Sequence, residues 1–362
     1  MSEKIKPIAI HLPQFHPIPE NDAWWGEGFT EWTNVAKAKP LFKSHYQPHL
    51  PADLGFYDLR LEEARIAQEQ LAKAHGIYGF CYYHYWFNSK RILEAPLNRK
   101  LANPNEDLPF MLCWANENWT RIWNGGDKDV LLQQNYSLED DLKHIQVLIS
   151  YFKDDRYIKV EGKPVFIVYR ANLFPDIQET IKLWRHEVKK AGFEDLYIGY
   201  AKNTDYETLK NDDGFDFSFD FQPNFSNRPS SIKNGVFKRY FNSLLHKLKL
   251  PVIDKYRLVY DYEAFSKLQM KTGFKENEYP SITPGWDNTA RRKENYFVLH
   301  NSTPEKYGNW LDYIVKNYPW KRMPESFLFI NAWNEWAEGN HLEPCQKWGK
   351  AYLETTKEKI EK

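Results

Sequence analysis

The sequence predicts a (β/α)8 barrel. Three observations carry that reading: eight short apolar runs that read as strands, helix-patterned stretches between most of them, and a length of 362 residues, which a barrel with loop insertions fills as a single catalytic domain. No Pro/Gly/Ser-rich linker divides the chain, and no internal repeat is visible. A doubly wound sheet is the alternative, but it needs a glycine-rich first turn. After the first strand the chain instead reads Pro13-Gln14-Phe15-His16-Pro17, which cannot wrap a pyrophosphate.

The elements follow in order. Ile8–Leu12 is the first strand. Leu59–His75 is an amphipathic helix, with Leu61, Ala64, Ile66, Ala67 and Leu71 at helical spacing and Gly76 as its stop. Gly79–Trp86 is the second strand, Arg91–Ala102 a helix and Phe110–Trp114 the third strand. Leu138–Phe152 is helical and Pro164–Tyr169 the fourth strand. Pro175–Ala191 is a helix with proline near its start and Gly192 at its end. Tyr197–Tyr200, Phe215–Phe221 and Pro280–Pro284 are strands five to seven, the last of them weak. Thr303–Asn317 is helical, Phe327–Trp333 is the eighth strand, and Gln346–Ile360 closes the chain as a helix. The link from strand six to strand seven, around residues 225–278, reads as an insertion. Its lysine-rich stretch Lys238–Lys249, with Lys255, reads as a solvated helix face.

Composition narrows the function. Lys+Arg and Asp+Glu are equal at 49 each, so the chain lacks the positive surplus of a general nucleic-acid binder. The 14 Trp, 23 Tyr and 23 Phe supply a sizeable core and exclude wholesale disorder. No apolar run reaches the length of a membrane span, and the N-terminus lacks a signal peptide's apolar core, so a soluble cytoplasmic protein is expected. Cys81, Cys113 and Cys345 are too scattered for a disulfide framework or a zinc knuckle; the first two read as core filler. His45 and His49 have helical spacing, but Pro48 and Pro51 argue against a helix there. No metal site or cofactor is expected.

In a barrel, function gathers on the loops after the strands' C-terminal ends. Here the first such loop holds Gln14, His16, Trp24, Trp25, Glu31 and Trp32. Strand two ends in Tyr82, Tyr83, His84, Tyr85 and Trp86. Strand three runs into Trp114, Asn116, Glu117 and Trp119. Tyr169 and Arg170 end strand four, Gln222 and Asn224 follow strand six, and Trp286, Asp287 and Asn288 follow strand seven. Strand eight ends in Trp333-Asn334-Glu335-Trp336-Ala337-Glu338-Gly339. Aromatic faces cover the C–H face of a pyranose, while carboxylates and side-chain amides bond its hydroxyls, so the recipe suits a sugar. The bland reading of any one of these rings is core or rim packing. In an extended strand Tyr83 and Tyr85 face one way and Tyr82, His84 and Trp86 the other, so only one set can face the barrel axis.

Glu335 and Glu338 are the sharpest feature. Glycoside cleavage needs two carboxyl groups, one to protonate the leaving oxygen and one to act as base or nucleophile. In a continued strand a spacing of three would point them to opposite faces. On a turn they converge, and Gly339 tolerates the positive φ such a turn uses. Trp333 and Trp336 would desolvate the pair and raise the pKa of one glutamate. The bland alternative is a capping pair for the last helix or a solvated loop. Glu343, Glu117 and Glu31 are rival carboxylates.

At these motifs the chain resembles the WbsX-like family, labelled lipopolysaccharide-biosynthesis or glycosyltransferase WbsX proteins. The carrying segments are Leu12–Pro17, Trp24–Trp32, Gly79–Trp86, Cys113–Trp119 and Asn334–Gly339, and the resemblance spans about residues 5 to 355. That family is in turn similar to glycoside hydrolase family 99, endo-acting α-mannosidases and mannanases on a (β/α)8 barrel. Their strand-eight motif, Asn-Glu-Trp-His-Glu-Gly, falls on Asn334 to Gly339, with Ala337 in place of the histidine. The resemblance implies that Glu335 deprotonates a sugar 2-hydroxyl, which attacks its own anomeric carbon. Glu338 then protonates the leaving group and later activates the water that opens the 1,2-anhydro sugar, with retention. The remaining motifs follow the WbsX-like pattern, so α-mannan specificity does not transfer.

Three functions therefore compete. One is a retaining glycoside hydrolase acting on a bacterial surface polysaccharide or oligosaccharide. Another is a glycosyltransferase of O-antigen or capsule biosynthesis. The third is a catalytically silent carbohydrate-binding protein. A transferase needs a nucleotide-diphosphate site, and the one Asp-x-Asp pair, Asp127-Lys128-Asp129, is expected in a loop. A separation of Glu335 and Glu338 beyond about 10 Å would exclude the hydrolase.

Overall fold

The computed structural model describes residues 4–121, 126–202, 214–232, 258–292 and 295–362. Eight parallel strands form its centre: β1 (Lys6–His11), β2 (Gly79–Phe87), β3 (Phe110–Trp114), β4 (Lys163–Val168), β5 (Tyr197–Lys202), β6 (Phe217–Asp220), β7 (278–282) and β8 (Phe327–Ile330). Each pairs with the next along the chain, and β8 returns to β1 with Lys6 opposite Phe327 and Ala9 opposite Ile330.

The ring closes through an interrupted strand. In β7, Glu278–Tyr279 pairs with β6 and Ser281–Ile282 pairs with β8. Pro280 separates the halves, and proline has no N–H to offer a ladder. Its carbonyl instead accepts the Phe329 N–H at 3.0 Å, while the carbonyl of Asn277 accepts Ser218 N–H at 2.9 Å. The two halves of the strand thus serve opposite neighbours. This is why the seventh strand is weak as a sequence pattern: it is two short halves about a proline. Aromatic rings fill the barrel beside it, with Phe219 stacked on Phe329 at 4.4 Å. Gly199 is required there, because a Cβ on it would lie 2.3 Å from the Phe217 ring.

Helices cover the outside: α1 (Glu62–Ala74), α2 (Ala95–Ala102), α3 (Leu138–Phe152), α4 (Ile177–Lys190), α5 (Tyr262–Thr272), α6 (Pro304–Asn317) and α7 (Ala351–Ile360). Their starts follow side-chain caps. The oxygens of Ser137, Asp176 and Thr303 accept first-turn backbone N–H groups, and Pro304 occupies the first turn of α6. The arrangement is the expected (β/α)8 barrel. Several boundaries shift by a few residues, with the eighth strand ending at Ile330 and not Trp333, and two of the shifts have a clear structural cause. Arg91 is not helical but lies on a short strand, Lys90–Ile92, folded back antiparallel on the end of β2. The last helix starts at Ala351 because the preceding segment is held in place: Cys345 bridges to Pro51, and Gln346 N–H donates to the Leu50 carbonyl at 2.9 Å.

No helix among the described residues is long and apolar enough to cross a membrane. Asp127-Lys128-Asp129 falls on a strand, Gly126–Leu132, paired with Trp119–Arg121, rather than in a loop; the side chains at 127 and 128 lie outside the described residues. Lys238–Lys249 and Lys255 also lie outside them.

Candidate active site

The loop leaving β8 makes a tight hairpin. Asn334–Glu335 pairs with Asn340–His341, and a 3-10 turn, Trp336–Glu338, joins them. Gly339 ends the turn at φ 56°, in the left-handed region. The hairpin is tied to β1 by Asn334. Its amide oxygen accepts Leu12 N–H at 2.7 Å and its amide nitrogen donates to the Leu12 carbonyl at 3.0 Å. Asn334 is therefore a positioning residue, with both ends of its amide engaged in the fold.

This turn brings Glu335 and Glu338 to one guanidinium. Arg291 Nη1 donates to Glu338 at 2.7 Å, and Nη2 donates to Glu335 at 3.0 Å. The same side chain donates to Glu31 from Nε at 2.9 Å and from Nη2 at 2.5 Å. The guanidinium nitrogens form one rigid planar fork, so the bound carboxyl oxygens of Glu335 and Glu338 lie within about 8 Å of each other, inside the span of glycosidase carboxyl pairs. The last helix begins twelve or so residues later, so the pair caps nothing.

Electrostatics separates these groups from surface carboxylates. Burial, joined by the charges of neighbouring Glu338 and Glu31, raises the Glu335 carboxyl to about 8 against the downward pull of Arg291. Burial raises Glu338 as well, against the pull of Arg291. Three carboxylates around one cation carry a surplus of negative charge, which the site relieves by holding a proton near neutral pH. Glu338 is the more open of the pair, with 19% of its side chain exposed against 7% for Glu335.

Aromatic side chains build the walls. Tyr83 and Tyr85 are the inward set of β2. Both feel the charge of Glu335, and Tyr83 packs edge-on against Tyr169 at the end of β4. Trp119 lies edge-on to Tyr85 at 5.3 Å and extends the wall towards Trp24. On the other side a cavity of about 390 Å³ opens beside Glu338, lined by Tyr169, Trp286, Arg291 and Arg292 among others. Trp25 is half-buried against Phe29, on the short helix Pro19–Trp25 of the first loop.

Several expected site residues are elsewhere. His84 belongs to the outward face of β2, where it meets His144 of α3 at 2.9 Å. Trp114 packs between barrel and helices against His144 and Trp184, and its Nε1 donates to the Trp86 carbonyl. Both face away because strand alternation gives the cleft to their neighbours. Asn116 is fully buried and spends its amide on Arg170 and Tyr136. Glu117 pairs with Arg170. Gln222 turns back onto Asp220 and the Asn224 backbone. Trp333 is buried against Phe80, so it does not flank the glutamates. Trp32 and Trp336 are buried beneath the hairpin 5.5 Å apart, with Trp32 Nε1 donating to the Tyr57 carbonyl. Trp336 also stacks on His341 at 3.8 Å and donates to Glu343 at 2.6 Å. That contact, with Tyr57 and Gln68, makes Glu343 a buried brace beneath the site, pushed up to about 7 by burial. His16 is buried after β1, and burial lowers its ring to about 4.

Arg291 stands outside the sequence pattern, whereas Tyr83 belongs to one of the two alternating sets at the end of β2. Arg291 lies three residues beyond Asn288, past the aromatic and polar run that follows β7. Its signal was charge balance: three carboxylates brought to one buried point require a cation.

Comparisons with known proteins agree with this architecture. Residues 7–356 match the model of a family described as Glycosyltransferase WbsX. Two proteins named Uncharacterized protein WxcX, from Xanthomonas campestris pv. campestris strains B100 and ATCC 33913, are 38% and 39% identical over 98% of the chain. The chain spans about half the length of these curated relatives, 49% in each case. Among solved structures, one described as a glycoside hydrolase-like protein superposes with a TM-score of 0.58 at 15% identity, over 99% of this chain and 94% of that one. The GH99 endo-alpha-mannosidase of Bacteroides thetaiotaomicron, in complex with bis-tris-propane, follows with a TM-score of 0.55 at 15% identity, over 99% and 97%. At that identity the likeness concerns the fold, which is one that carbohydrate-active enzymes use.

Proposed function

The chain belongs to the WbsX glycosyltransferase family, and from that premise we propose that it is a retaining glycoside hydrolase acting on a bacterial surface polysaccharide or oligosaccharide. One observation carries the reading: Glu335 and Glu338 converge on a single guanidinium at the C-terminal end of β8. A silent binding protein has no need of two buried carboxyls at glycosidase spacing with raised proton affinities.

In the proposed reaction Glu335 takes the proton of the sugar 2-hydroxyl while that oxygen attacks the anomeric carbon. Glu338 gives its proton to the departing glycosidic oxygen. A water molecule then opens the 1,2-anhydro ring, losing its proton to Glu338, while Glu335 returns the first proton to O2. The cycle starts from the form in which the proton held by the coupled pair sits on Glu338, leaving Glu335 ionised as the base, and its raised proton affinity then makes it a strong one. Glu338 faces the open cavity, where a leaving group can depart. The wall rings Tyr83, Tyr85, Trp119, Tyr169 and Trp286 supply the apolar faces for a sugar, and the chain is proposed to work without a metal or cofactor. The family description favours a second reading, transfer from a nucleotide sugar.

The test is incubation with a panel of O-antigen and capsule polysaccharides, monitored for new reducing ends, beside a parallel assay with nucleotide sugars. Reducing ends that vanish in Glu335→Gln and Glu338→Gln support hydrolysis. Release of nucleotide without reducing ends would sink it.

A further inference from the structure

The cavity beside Glu338 has an unusual chemical balance. Among the described residues its lining includes three arginines, Arg228, Arg291 and Arg292, and one carboxylate, Glu338. Arg291 is committed to the three glutamates. Among the described residues neither Arg228 nor Arg292 has an ion-pair partner. Arg228 lies over the Tyr260 ring at 5.9 Å, and Arg292 is close enough to Glu338 to favour its charged form.

Two further groups of this wall donate, beside the Asn295 amide and the Tyr169 hydroxyl, which both donate and accept. Trp286 is 7% exposed, and its indole N–H has no hydrogen-bond partner. The oxygen of the Asn288 amide accepts Phe297 N–H at 2.8 Å, which leaves its NH2 group for a ligand. Guanidinium and indole groups donate and cannot accept. A neutral sugar hydroxyl is both donor and acceptor and matches such a wall poorly. A carboxylate or phosphate only accepts, and it gains charge-assisted bonds from two guanidinium groups.

We propose that this cavity is an anion subsite, and that the glycan acted on carries an acidic substituent, a uronate carboxylate or a sugar phosphate, next to the bond that Glu338 serves. Arg228, Arg292 and the Trp286 indole N–H are its ligands, with Tyr169 and Phe225 as the apolar walls. The inference rests on the reading of the site as a carbohydrate site but not on its catalysing hydrolysis.

The test uses binding, so it stands apart from turnover. Glucose, glucuronic acid and glucose 6-phosphate are titrated into the intact protein and followed by saturation-transfer NMR. One or both acidic probes should bind at least about tenfold more tightly than glucose, and the preference should shrink as salt is raised from low to high ionic strength. Which acid binds better separates carboxylate from phosphate. In the Arg228→Gln/Arg292→Gln double variant the preference should disappear while circular dichroism stays native. Single substitutions keep the test open if the double variant does not fold. Equal binding of all three probes, no binding of any, or a preference that survives loss of both arginines would overturn the subsite. Polysaccharide cleavage by the unaltered protein together with equal binding of the three probes would overturn the subsite and leave the hydrolase reading standing.

Discussion

Arg291 donates to Glu31 from two nitrogens, at 2.9 and 2.5 Å, across 260 residues of sequence. The same guanidinium holds Glu335 and Glu338, so it balances three buried carboxylates from two distant loops. Arg291→Met should therefore cost far more than a surface substitution. Removing one partner of a buried ion cluster typically destabilises by about 3–5 kcal/mol. Urea unfolding of the two proteins measures this, and a loss below about 1 kcal/mol would show that the glutamates are neutral without their cation.

Glu338→Gln should separate binding from chemistry. The amide keeps the shape of the side chain but has no proton of carboxylic acidity to give. Turnover of a natural glycoside should fall by about 10²- to 10⁴-fold with substrate affinity nearly unchanged. A substrate with an activated leaving group should lose less. Equal losses on the two substrates would refute the acid role.

The pH dependence of stability follows from the raised glutamates. Glu335 has an ordinary value of 4.5 unfolded and about 8 folded, so between those limits the folded chain binds the extra proton. Stability falls with rising pH wherever the folded state binds more protons. Histidines oppose this until their unfolded imidazoles have lost their protons, about a pH unit above the ordinary 6.5: His11, His84 and His341 are lowered to about 3, His16 and His49 to about 4, and His144 is lowered as well. Glu343 adds to the fall up to about 7. From about pH 7.5 to 8.5 the Tm should decline, and Glu335→Gln should flatten the decline. An unchanged slope in that variant would remove Glu335 as its source.

Gly339→Ala tests the turn. A Cβ there would meet Asp287 Cβ at 2.8 Å, and φ is +56°. Steric overlap and left-handed backbone together should cost at least about 1–3 kcal/mol. Because Asp287 also accepts from His45 at 2.6 Å, relaxation would displace the loop that carries Arg291. Activity should fall with stability; a variant of native Tm and native turnover would contradict this account.

The barrel was legible in the sequence because strand and helix periodicities are local. β3 and α3 fall where their patterns end, and β7 is weak in pattern because Pro280 splits it. The glutamate pair was legible too, since a turn with Gly339 is a local device. Side-chain direction was less so. Alternation along β2 left two sets, and only packing against α3 shows that His84 faces outward while Tyr83 faces the cleft. Trp333 and Asn334 read as substrate contacts but serve the fold, because their partners Phe80 and Leu12 are joined to them only by closure of the ring. Arg291 carried no local mark at all.

That closure also sets when the site exists during synthesis. Asn334 binds the backbone of Leu12 across 322 residues, and Glu31 meets its counter-charge only through Arg291. A nascent chain short of residue 338 therefore holds Glu31 without the hairpin that completes the cluster. Contacts of such long range form last, after their loop entropy has been met. The acidic centre is thus withheld until nearly the whole barrel has left the ribosome.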